Sequence, residues 1–241
     1  MLKNIISLCV LILLVSCKTV SIDNQMQSTT TQQIILGTIG IDKELLLNKS
    51  YTNTAIPEYK EPVKVSVSVK SFNKKTFKAF SNANTANLIT VNYVDSLEIK
   101  PKFVSLYIQD KITVLKALNS KTNKTVKSYL TTKNEASIIS YLSMALNQQA
   151  ITNISQADEC FLEKDGIKSY TLQLYKNGEK TNIIRFNDGV VFAYKTLNCC
   201  WKQNEKQQLE IVDLIDPINR CPNKTSMRAS RAKKEINYFK L

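Results

Sequence analysis

Cys160, Cys199, Cys200 and Cys221 carry the most reactive side chains in the C-terminal half of this chain, and Cys9 and Cys17 lie near its start. None forms a C-x-x-C pair, so the spacing of a zinc ribbon or a thioredoxin-type redox centre is missing. Adjacent Cys199 and Cys200 would point to opposite sides of an extended strand, which also argues against a single tetrahedral Cys₄ set. The 241 residues contain no histidine. That removes Ser-His-Asp and Cys-His nucleophile systems, His-ligated metals, and the side chain that ordinarily titrates near neutrality. What remains is disulfide formation, Ser-Lys attack, carboxylate acid–base work and stacking on aromatic rings.

Each of these has candidates. Ser71-Phe72-Asn73-Lys74 and Ser230-Arg231-Ala232-Lys233 both match S-x-x-K, in which a desolvated Lys activates the Ser. The S-D-N and K-T-G elements that accompany that motif are absent, and a chain this rich in Ser and Lys produces such matches by chance. Asp158 with Glu159, and Asp213 with Asp216, are carboxylate pairs, but hydrolysis requires a defined separation inside a pocket. Five glycines, with neither G-x-G-x-x-G nor a Walker A run, exclude the common nucleotide cradles. Tyr170, Tyr175, Phe186, Phe192, Tyr194 and Trp201 could stack on sugar rings if they shared an exposed face. Packing between a sheet and its cover is the favoured reading. No catalytic residue, metal or cofactor is assigned.

The N-terminus carries the most specific signal. Lys3 supplies a positive charge and residues 5–15 are mostly apolar, the n-region and h-region of a secretory signal. Eleven helical residues rise about 16 Å, half of the ~30 Å hydrocarbon core, so this is not a membrane span. The run ends in Leu14-Val15-Ser16-Cys17, which resembles the lipobox of bacterial lipoproteins. The resemblance implies loss of residues 1–16 and diacylation of Cys17, which becomes the new N-terminus held by membrane lipid. Lys18 stands where Asp would mark inner-membrane retention, so the resemblance points to the outer membrane, facing the periplasm. Residues 18–24 hold only Asp23 as an acid, which leaves surface export unsupported. In layout and composition the chain resembles small envelope lipoproteins of Bacteroidota-type bacteria. In such an oxidising compartment the four remaining cysteines are expected as two disulfides. Face parity along residues 190–200 favours Cys200 with Cys221, leaving Cys160 with Cys199; free buried thiols are the alternative.

The elements that must position these residues are partly legible. Residues 18–33 are polar, the composition of a flexible tether with a span of roughly 22 Å. Val63, Val65, Val67 and Val69 alternate with Lys64, Ser66, Ser68 and Lys70, a half-buried strand. Residues 88–94 and 103–109 read as further strands, 112–118 as a short helix and 136–146 as another. Asp165-Gly166, Asn177-Gly178 and Asp188-Gly189 suit tight turns, which predicts a four-stranded antiparallel meander over residues 159–197, extended by 208–215. The fold class expected is α+β, predominantly antiparallel β-sheet with one or two short helices. By segment, 1–16 is signal peptide, 17–33 lipidated Cys and tether, and 34–241 a single domain with a basic C-terminal tail.

Charge is uneven within a formal balance of +13. Residues 60–133 hold fourteen lysines against four carboxylates, and residues 220–241 seven basic residues against one acid. With 29 Lys and only four Arg, planar bidentate phosphate recognition is poorly served, and nucleic acid is disfavoured as a partner. The function expected is that of a lipid-anchored cell-envelope protein with a non-catalytic binding or scaffold domain, its partner an envelope protein or an anionic glycan. The alternatives are a polyanion-binding envelope module and a His-independent hydrolase of envelope material.

Overall fold

The computed structural model describes residues 19–44, 49–166 and 169–233. Among the described residues twelve strands pair antiparallel throughout: β1 (Thr19–Ile22), β2 (Gln25–Thr29), β3 (Ile39–Glu44), β4 (Lys49–Ala55), β5 (Val63–Ser71), β6 (Lys102–Ile108), β7 (Ala136–Ala145), β8 (Glu159–Lys164), β9 (Tyr170–Lys176), β10 (Glu179–Arg185), β11 (Val190–Gln203) and β12 (Leu209–Ile215). The short helices are α1 (Lys74–Ala83), α2 (Lys111–Asn119), α3 (Lys124–Thr132), α4 (Gln148–Gln156) and α5 (Ala229–Ala232). The α+β class with a dominant antiparallel sheet is therefore as expected. No helix among the described residues is long and apolar enough to cross a membrane.

Two long central strands organise the sheet. β7 pairs β11 along one edge, while its other edge carries β3 at Ala136–Ile138 and β6 at Tyr141–Met144. β11 branches in the same way, pairing β2 at Ala193 and Tyr194 and β12 from Asn198 to Gln203. The longest path runs β1-β2-β11-β7-β6-β5-β8-β9-β10. Because successive strand residues point to opposite faces, the register Val191–Met144–Val104 faces one core, and the adjacent residues Val190, Ala145 and Phe103 lie in the other. The larger core holds Leu106, Leu142, Leu172 and Trp201 and is covered in part by Val114 and Leu118 of α2. The smaller lies under α1, where Phe72, Phe80, Phe103 and Phe192 pack with centroids 4.9–6.4 Å apart.

Several expectations are corrected. Residues 136–146 form a strand, not a helix; β7 is buried on both faces, so it lacks the alternation that marks a half-exposed strand. Residues 88–94 form no strand; they are an irregular segment after α1 that packs Ile89 into the smaller core and Tyr93 on Phe77. The meander has three strands, β8 to β10, and β11 leaves it to join β7. The reason lies at residues 186–189, where a 3₁₀ turn replaces a hairpin and Gly189 has φ −143°, ordinary extended backbone. Asn177 (φ 52°) and Gly178 (φ 79°) do make the expected two-residue turn between β9 and β10.

The polar segment 17–33, expected as a tether, is folded from Thr19 onward. β1 and β2 form a hairpin through Asp23 and Asn24, both with positive φ. Val20 and Ile22 are buried in the smaller core, and Gln27 is fully covered. β2 touches β11 at only two registered pairs, yet Asp23 at the tip meets Lys70 of β5 at 2.8 Å. Between β11 and β5 lie β7 and β6, so the hairpin crosses the face of the sheet rather than extending its edge. Two apolar side chains at alternate positions suffice to fold so short a segment once a ready-made face receives them.

Candidate functional site

Cys17 lies outside the described residues. Cys200 and Cys221 form a disulfide with Cα atoms 5.7 Å apart. It closes residues 201–220 into a loop, and Trp201 and Ser226 exchange backbone hydrogen bonds of 2.8 and 3.0 Å, tying the start of the basic tail to β11. The face argument behind that pairing holds only in part. Val190 and Phe192 face the smaller core, but a bulge between Val191 and Ala193 turns Tyr194 toward the larger one. Cys160 and Cys199 are not the second disulfide: both are free thiols. Cys160 lies on β8 and Cys199 on β11, with β5, β6 and β7 between those strands in the sheet. Burial pushes each thiol up to about 12, so neither is a nucleophile at neutral pH.

The remaining sequence candidates serve structural ends. Ser71 and Lys74 are exposed, as are Ser230 and Lys233, so neither lysine is desolvated into a base. Asp158 accepts the Asn177 N–H at 2.7 Å, and Glu159 is paired with Lys64 at 2.6 Å. Asp213 accepts the Leu214 N–H, while Asp216 pairs with Lys195. Tyr170, Phe186, Phe192, Tyr194 and Trp201 are core residues; Tyr175 is half-exposed and donates to Glu163 at 2.6 Å. The described residues contain no group of three His, Cys, Asp or Glu able to hold a metal. Two clefts of about 130 and 190 Å³ lie beside Lys60 and Lys116, and beside Lys64 and Glu159. Both are smaller than the ~300–1,000 Å³ of ordinary ligand pockets.

An exposed aromatic pair lies elsewhere. Tyr107 on β6 and Tyr141 on β7 are registered neighbours whose rings stack at 6.0 Å with 14° between planes. Tyr107 is 42% exposed. The neighbouring register on the same face is a row of serines, Ser68, Ser105 and Ser143. The Ser105 and Ser143 hydroxyls lie 3.2 Å apart, and Ser143 donates to Gln27 Oε1 at 2.9 Å. Gln27 Nε2 has no hydrogen-bond partner among the described residues. Lys195 donates to Gln25 Oε1 at 2.6 Å along one flank, and the Asp23–Lys70 pair closes another. Partial burial raises the Tyr141 phenol, which is thus a neutral hydrogen-bonding group. Ser105 and Ser143 are buried beneath Gln27, so what this face offers to solvent is the tyrosine pair with half-buried Ser66 and Ser68; it can stack against a ring but offers no activated nucleophile. Sequence reasoning missed the pair because Tyr141 falls in the segment read as helical; placed on strands, the two tyrosines would have shared a face.

No protein-family model, curated protein or solved structure matches this chain.

Proposed function

We propose that the chain is a lipid-anchored cell-envelope protein that binds a glycan through the Tyr107–Tyr141 face without catalysing its turnover. The observation that carries the binding reading is the stacked, partly exposed tyrosine pair flanked by the half-buried Ser66, registered beside Tyr107 on β5. An aromatic ring on a rigid strand offers its face to the C–H surface of a sugar at little entropic cost, and the two phenols with the half-buried Ser66 hydroxyl suit sugar hydroxyls. The anchor reading rests on Leu14-Val15-Ser16-Cys17, and an oxidising compartment agrees with the Cys200–Cys221 disulfide. Binding of isolated envelope polysaccharide to Tyr107→Ala should weaken about tenfold, corresponding to roughly 1.4 kcal/mol, while Tyr107→Phe should stay within about threefold of the parent. Equal binding by the parent and Tyr107→Ala would remove the site.

A second reading, contact with a polyanion, draws on the lysines of residues 60–133. Lys64 and Lys70 are engaged by Glu159 and Asp23. Lys116, Lys121, Lys124 and Lys127, on and between α2 and α3, supply the charge for it. Retention that falls steeply with salt supports this reading, whereas the glycan reading expects little salt dependence.

A further inference from the structure

We propose that the outer surface of α1 and residues 84–101 is a membrane-docking surface for an anionic lipid bilayer. This rests on the lipid-anchor reading and adds how the domain lies against the membrane.

Residues 84–101 run back along α1 and are tied to it. The Asn84 side chain donates to the Ile89 carbonyl at 2.6 Å, Tyr93 stacks on Phe77 at 4.7 Å, and the Phe72 N–H donates to the Pro101 carbonyl at 2.9 Å. Although held in this way, the segment presents Leu88 (53% exposed), Val94 (57%), Leu97 (39%) and Ile99 (84%) to solvent. Four such side chains on one short segment exceed the scattered single exposures normal for a soluble surface. Lys100 and Lys102 end or follow this segment and Lys74, Lys75 and Lys78 lie on α1, to which it is tied, against Asp95 and Glu98 within the segment. Lys74 and Lys75 occupy the first turn of α1, where positive charge opposes the helix dipole. Helix stability does not account for them; an anionic surface does. Apolar side chains flanked by lysines are the composition of an interfacial element.

The position of the anchor selects this face. Val20 belongs to the same core as Ala79, Phe80 and Ala83 of α1. Cys17 precedes Val20 by three residues, and three residues reach at most about 11 Å. Acyl chains on Cys17 therefore enter a bilayer within that distance of the core beneath α1. A second copy of the chain fits the face poorly, because it would set five lysines against five. Docking also leaves the tyrosine pair open. Along one face of β7, Ala145 lies in the core under α1, Ser143 bonds to the hairpin, and Tyr141 stands beyond it.

The test reconstitutes the full lipidated protein into vesicles of brominated phosphatidylcholine with or without phosphatidylglycerol. It uses Ile99→Trp, and Ile112→Trp as a control on α2, which covers the opposite face of the sheet. The fluorescence of the Ile99→Trp variant should be quenched at least twofold in the anionic vesicles, that of the Ile112→Trp variant no more than that of the parent with its buried Trp201. Adding Lys74→Glu, Lys75→Glu and Lys78→Glu should restore the emission. Absence of quenching, or equal quenching at both positions, overturns the proposal, and quenching indifferent to phosphatidylglycerol or to the lysines overturns its anionic part. The N-terminal mass of the same preparation reads acylation separately: an unmodified Cys17 defeats the anchor reading, and an acylated protein without quenching defeats only the docking surface.

Discussion

Cys160 and Cys199 are reactive groups held inert by their surroundings, with Leu174 and Val65 beside the one on the sheet and Trp201 in the same core as the other. Their raised pKa values have a definite consequence for stability. Above about pH 9 the unfolded chain loses these protons while the folded chain keeps them until about 12, so stability falls as pH rises through that window. Each thiol contributes a slope approaching 1.4 kcal/mol per pH unit there, to which the buried phenols of Tyr51 and Tyr59 add with the same sign. Chemical unfolding followed from pH 8 to 11 should show this decline, and Cys199→Ala should flatten it. A thiol reagent should find Cys160 and Cys199 unreactive in the native protein and reactive in denaturant without reductant. If they stay silent in denaturant, they are disulfide-bonded. Cys200 and Cys221 behave oppositely: Cys221→Ser should cost about 3 kcal/mol, and reductant should then have no further effect on the denaturation midpoint.

Local chemistry set some elements, and those were readable in advance. The Asn177-Gly178 turn fixes the β9–β10 hairpin from two adjacent residues, and β5 announces itself by valines at every second position. α2 begins where Asp110 accepts the Thr113 N–H at 3.0 Å. Elements defined by what covers them were not readable. β7 has no alternation because both its faces are buried, and β2 hides a fully covered Gln27 in a sequence with a tether's composition. Tyr107 and Tyr141 become a pair only through a register joining residues 34 apart, so the candidate site depended on the sheet order. Two glycines separate local from tertiary constraint. At Gly178, with φ 79° and open space around it, Gly178→Ala should cost about 1–2 kcal/mol, the left-handed penalty alone. At Gly40 a Cβ would lie 2.2 Å from the Thr52 carbonyl and 2.7 Å from the Tyr51 ring, so Gly40→Ala should cost about 3 kcal/mol or more by forcing β3 from β4. Equal midpoint losses for the two variants in denaturant titrations would refute that distinction.

At the scale of the molecule, the start of the folded domain decides how it is held. With β1 beginning at Thr19, the lipid anchor proposed at Cys17 would have no 16-residue spacer, and the hairpin that lies across the sheet would place the domain. The hairpin also completes the smaller core through Val20 and Ile22, and it caps Ser143 through Gln27. A chain lacking residues 19–33 but keeping the signal and Cys17 would be harmless if that segment were a tether. Because the segment is part of the fold, its loss should remove the burial of Val20 and Ile22, at about 2 kcal/mol each, leave the smaller core open where they sat, and strip the cover from Ser105 and Ser143. A loss of at least about 4 kcal/mol is a large part of the 5–15 kcal/mol that holds a typical domain together. The shortened protein should therefore show a much lower midpoint in urea, or fail to accumulate. The substitution Cys17→Ala in the full chain should leave the midpoint unchanged while releasing the protein from membranes. A shortened protein as stable as the parent would place the start of the domain after the hairpin, and the close apposition of anchor and sheet would go with it.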